Sequence, residues 1–187
     1  MVVHRRSFLA LLGAGSAVLV DGGTALASVA RSVSVRALIQ KSRSVVLGTP
    51  LAAHSEWTEI GGSRRIVTLT RVRIDEHVAR SQPEASEVLV RTLGGRVGNL
   101  GQLVHGEAEL RANETCMLFL HEGEAGVSSV TAMAQGHYPL VADARGRWLK
   151  RSPGLAKLVM EPEAAVERLS GQTVDVARGI VRQAEKP

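Results

Sequence analysis

The chain has one cysteine, Cys116, so no internal disulfide braces it. That residue sits in the apolar run CMLFL, which predicts a buried, inert thiol rather than a nucleophile. Aromatic residues make up only 3% of the chain, and the excess of base over acid, +5, is scattered along it. A reader of nucleic acid would cluster its basic residues and interleave them with aromatics, so nucleic acid is not an expected partner. Beyond the first residues no apolar run is long enough to span a bilayer. The motifs of common catalysts are missing as well. There is no G-x-S-x-G, no H-E-x-x-H, no G-x-x-x-x-G-K-[ST] and no G-x-G-x-x-G.

What is present begins at the N-terminus. Arg5 and Arg6 precede the apolar stretch from Phe8 to Val20, and Ala25-Leu26-Ala27 fits a small-x-small cleavage site before Ser28. This pattern predicts an export signal over residues 1–27, with no stable membrane anchor after cleavage. The paired arginines followed by Phe8-Leu9 resemble a twin-arginine signal, although His4 and Ala10 depart from its usual residues. The expected partner during export is the twin-arginine translocon, and the expected destination is periplasmic or extracellular. The remaining chain, about 160 residues, is the length of one domain with a core of its own.

Residues 32–42 (SVSVRALIQKS) predict a short helix capped by Ser32 or Ser34, with Val35, Leu38 and Ile39 on one side. Residues 44–57 read as a strand, and Gly61-Gly62-Ser63 as a turn. In residues 64–78 (RRIVTLTRVRIDEHV), Ile66, Thr68, Thr70, Val72 and Ile74 alternate onto one face, the mark of a long strand with a buried side. A loop around Pro83, a strand EVLVRTL, an apolar strand CMLFLHEG, a strand over 128–141 and a tight turn at 143–146 follow. The C-terminus predicts two helices. One has Pro162 at its first position and stops at Gly171; the other is capped by Thr173, with Val176, Ile180 and Ala184 facing the rest of the fold. The class is α+β, mainly antiparallel β, a small barrel over 28–160 with a short N-terminal helix and a C-terminal helical segment over 161–187 packed on it.

The stretch LGGRVGNLGQLVHGE, residues 93–107, holds five glycines. No lysine stands where a phosphate loop needs one, and no amphipathic helix follows, so the glycines predict a bend with close backbone approach instead of a nucleotide site. Its polar residues Arg96, Asn99, Gln102, His105 and Glu107 are the candidate site for a ligand or partner. A second reading takes His105, His121 and His137 as strand-end ligands for zinc, oriented by Glu107 or Glu122. Asp75-Glu76-His77 places acids beside a histidine, but neighbours on a strand point to opposite faces, which suits structure better than a relay.

The segments SRSVVLGTPL, RRIVTLTRVRIDEHV, EVLVRTLGGRVGNLGQLVHGEAEL, ETCMLFLHEG and VTAMAQGHYPLV resemble a family of exported bacterial proteins of uncharacterised activity. The resemblance covers most of the mature chain and implies no catalytic residues. The strand order also resembles netrin-type modules and tissue inhibitors of metalloproteases, which implies an OB-like barrel. Those inhibitors use an N-terminal cysteine, and the chain near Ser28 has none, so the inhibitory mechanism is not implied. The expected function is non-catalytic: an exported barrel, without a cofactor, that binds an exported protein or a small ligand through the glycine-rich segment. The alternative is a zinc-binding protein or metal-dependent enzyme.

Overall fold

The computed structural model describes residues 30–80, 85–123, 126–144, 146–155 and 157–186. The export segment anticipated at 1–27 and the centre of the loop around Pro83 lie outside the described residues. The described chain is mainly antiparallel β with a few helices, as the alternation of its apolar residues leads one to expect.

Helix α1 (Val35–Lys41) starts where Ser34 accepts a hydrogen bond from Ala37 N through its side chain, and it buries Val35, Leu38 and Ile39. Two long strands follow, β2 (Ser44–Ile60) and β3 (Ser63–Ala79), joined by Gly61 and Gly62. Both glycines have positive φ, 57° and 73°, the conformation a two-residue hairpin turn of this hand requires. Their pairing skips Val78 and Asp75 on β3 and Leu51 on β2. Each skip is a bulge that bends the ribbon.

Strand β4 (Glu87–Leu93) pairs antiparallel with β3, and the short hairpin β5 (Gly95–Val97) and β6 (Leu100–Gln102) comes next. Strand β7 (Cys116–Glu122) pairs antiparallel with β2. Strand β8 (Ser128–Val130) pairs with two partners at once, antiparallel with β7 and parallel with β4. The pairings therefore close a ring in the order β7–β2–β3–β4–β8 and back to β7. Strands β9 (His137–Asp143) and β10 (Gly146–Leu149) extend the sheet outward from β7.

The ring creates two cores. Inside it lie Val46, Val72, Val90, Cys116, Leu118, Leu120 and Val130, with Ala108 closing over them. On the outer face Val45, Leu47, Met117, Phe119 and Tyr138 meet helix α1 and the C-terminal helices α2 (Ala165–Leu169) and α3 (Val174–Glu185). Alternation along β2 and β7 serves both, sending Val46 and Leu118 inward and Val45 and Met117 outward. Full burial of side chains of this size is worth about 1.5–3 kcal/mol each. Phe119 and Tyr138 add an edge-to-face contact at 6.1 Å between ring centres. Strands β1 (Ala30–Arg31) and β11 (Leu158–Val159) pair in parallel and tie the two ends of the domain together. Among the described residues no helix is long and apolar enough to cross a membrane.

Three expectations change. Residues 128–141 do not form one strand. Ala132 and Met133 adopt left-handed backbone, φ 54° and 57°, and a 3-10 turn (Met133–Gly136) separates β8 from β9. The first C-terminal helix starts at Ala165 rather than at Pro162, because Glu163 has positive φ and Ala164 bridges to Ser34. On α3 the buried face is Val174, Ala177 and Val181, with Ile180 and Ala184 flanking it, while Val176 faces solvent.

Candidate functional site

The glycine-rich segment is a buttressed hairpin laid across one end of the ring. Gly94 N donates to Ile66 O at 2.8 Å, extending the β3–β4 ladder by one rung before the chain turns away. The turn is made at Gly94 and Gly95, with φ 93° and 132°. A Cβ on Gly95 would lie inside 3.0 Å of both Thr68 Oγ1 and Ser55 Oγ. Only glycine permits this approach, which matches the bend expected from the sequence.

Side chains then pin the hairpin down. Thr68 Oγ1 donates to Gly94 O at 2.8 Å and shares a 2.9 Å hydrogen bond with Ser55 Oγ. Arg96 N donates to Ser55 Oγ at 3.3 Å. Gln102 Oε1 accepts from Ile66 N at 2.9 Å, so its carbonyl completes the hydrogen bonding of the β3 backbone there. The turn of the hairpin is Gly98-Asn99, with Gly98 at φ 58°. Two leucines stand out from this rigid base, Leu100 at 61% exposed and Leu103 at 80%. Sequence reasoning passed over them in favour of their polar neighbours, although leucines three apart among glycines and polar residues were a visible signal.

The expected polar residues do not all converge. Arg96 is exposed and turns back on its own hairpin, its Nε donating to Gly98 O at 3.3 Å. Asn99 and His105 are exposed. Gln102 and Glu107 line one pocket of about 250 Å³ with Thr68, Thr70 and Thr92. Glu107 accepts from Leu93 N at 3.1 Å and from Ala108 N at 2.9 Å. Burial pushes its pKa up, and these two backbone bonds offset that only in part. Its carboxylate ties the crossing segment to the end of β4.

The histidines point to separate environments. His105 lies in an exposed turn, and His121 is half-buried near the end of β7. His137 is buried on β9, with Nδ1 at 2.9 Å from Ser152 Oγ. Burial lowers the pKa of His137 to about 4. Among the described residues no group of three or more His, Cys, Asp or Glu side chains is arranged to hold a metal ion. Cys116 is buried, and burial pushes its thiol far above the usual range.

The Asp75-Glu76-His77 run is pulled apart by the bulges. Partial burial pushes Asp75 up, but hydrogen bonds from Thr49 at 2.6 Å and Arg73 at 2.8 Å outweigh it and hold the pKa below the usual carboxylate range. Glu76 pairs with Arg178 of α3. His77 lines a cleft at the other end of β3. Asp75 and Glu76 are thus held in polar contacts within the fold, whereas His77 Nδ1 is buried without a hydrogen-bond partner among the described residues.

That cleft encloses about 950 Å³ where the ends of β3, β4, β7 and β8 diverge. Its lining comes from segments scattered between residues 41 and 185, which is why no local motif announced it. Compared with family models, curated proteins and solved structures, the chain matches none of them.

Proposed function

We propose that this chain is an exported, non-catalytic domain of OB-like barrel topology that binds a partner protein through its glycine hairpin. The twin-arginine-like N-terminus supports export. The ring of five strands, closed by one short parallel pairing between β4 and β8, supports the OB-like reading. The observation that carries partner binding is the pair of exposed leucines, Leu100 and Leu103, at a hairpin held by hydrogen bonds with Ser55, Ile66 and Thr68. Apolar side chains presented on a rigid base lose little conformational entropy on docking, the condition under which small contacts become energetic anchors.

The test is site-specific photo-crosslinking in cells that export the full chain. A photoreactive residue at position 103 is expected to give one adduct of defined mass on the processed form beginning at Ser28. The same residue at position 183, on exposed α3 surface, is expected to give none. Leu100→Asp should abolish the adduct while leaving the thermal unfolding temperature unchanged. No adduct at position 103, or equal adducts at both positions, would overturn the reading.

A further inference from the structure

The cleft at the far end of β3 and β4 is lined by charge at its rim and by apolar groups at its floor. Leu120 belongs to the inner core, and Ile74 and Val88 pack against that core, so the floor of the cleft is the open end of the ring interior. Two of the three acidic residues of the described rim are paired with arginines. Glu122 pairs with Arg43 at 3.1 Å and Glu87 pairs with Arg71 at 3.5 Å, while Glu185 accepts from the uncharged Arg80 N at 3.1 Å and keeps its charge. The ammonium of Lys41 and the guanidinium of Arg80 have no acidic partner among the described residues. Set against Glu185, Lys41 and Arg80 leave one positive charge among the described residues of the rim, and it stands above an apolar floor. A volume near 950 Å³ is at the upper end for a small-molecule site.

We propose that this cleft binds a small single-chain amphiphile with one carboxylate head, the head held by Lys41 and Arg80 and the chain laid against Ile74, Val88 and Leu120. The site is independent of the glycine hairpin, which covers the opposite end of the same strands, so the two readings stand or fall separately.

Titration calorimetry on the mature chain decides it, with decanoate, decanol and inorganic phosphate as probes. Decanoate is expected to bind one to one, at least tenfold more tightly than decanol, which keeps the chain and lacks the charge, and at least tenfold more tightly than phosphate, which keeps the charge and lacks the chain. Lys41→Gln with Arg80→Gln, both exposed positions, should weaken decanoate at least tenfold without changing the unfolding temperature. Val88→Asn, which alters the floor alone, should weaken decanoate while leaving phosphate as it was. Absence of decanoate binding overturns the proposal. So does equal binding of decanol, equal binding of phosphate, or indifference to the double substitution.

Discussion

At Tyr138 the fold buries a hydroxyl that has no hydrogen-bond partner among the described residues. The ring meets Phe119 edge to face, so the aromatic body is used while its polar tip is not. A buried donor without a partner costs about 1–3 kcal/mol. Tyr138→Phe removes the hydroxyl and keeps the ring. The substitution is expected to raise stability by about 1 kcal/mol in urea unfolding, and a loss of stability would show that the hydroxyl has a partner after all. Cys116 makes the complementary case. Its thiol faces Gly48 O at 3.7 Å inside the ring and is 1% exposed. A thiol reagent should leave it untouched in the native protein and label it fully in denaturant, whereas labelling of the native protein would mean that the ring opens. Burial of Cys116 was legible because the run it opens, CMLFL, is apolar. The orphaned Tyr138 hydroxyl was not, since it depends on which side chains α1 and β7 bring to it.

At the scale of elements, the glycine hairpin is the sharpest test of local reasoning. Gly95 carries φ 132° and lies against two hydroxyls, so a methyl group there meets both backbone strain and collision. Gly95→Ala is expected to cost about 2–3 kcal/mol, as single changes at such positions do. Adding Ser55→Ala and Thr68→Ala removes the colliding atoms but not the strain, so it should recover only part of the loss relative to the Ser55→Ala, Thr68→Ala background. Full recovery would assign the whole effect to collision, and none would assign it to φ. The elements readable in advance were those whose signal is local: the Ser34 and Thr173 caps, the Gly61-Gly62 turn, and the alternation from Ile66 to Ile74. Those misread depend on distant partners. Residues 128–141 carry a strand-like composition, and β8 and β9 do lie along the same edge of β7, against residues 120–122 and 116–118, but β8 must also reach β4, and the left-handed pair Ala132 and Met133 breaks the chain between them. The site followed the same rule. The close approach of the glycines was legible, whereas the inward turn of Gln102 and Glu107 and the exposure of Leu100 and Leu103 follow from the strands beneath them.

For the whole molecule, the response to acid turns on His137. Burial holds this imidazole at a pKa of about 4, against the ordinary 6.5 that the unfolded chain restores. Below pH 6.5 the unfolded chain therefore takes up a proton that the folded one refuses, and stability present at neutral pH is lost as the pH falls toward 4. One pKa unit is worth about 1.4 kcal/mol, which makes the full loss about 3 kcal/mol. Two other groups bound the window. Glu107, raised by burial, binds its proton more readily in the folded state, so it gains stability as the pH falls toward its ordinary 4.5 and opposes His137. Asp75, held low by Thr49 and Arg73, weakens the fold only below its ordinary 3.8. Between pH 6.5 and 4 the decline thus belongs to His137, blunted at the acidic end by Glu107. His137→Gln keeps a polar group that can reach Ser152 and removes the titration. Urea unfolding at pH 7, 5.5 and 4 should show the wild type falling steeply and the variant holding level or rising slightly under the influence of Glu107. If both fall with the same slope, the acid response comes from elsewhere. If the variant falls less but still falls, a second buried group shares it, and Glu107→Gln in the same background would reveal whether the compensating carboxylate has been given too much weight.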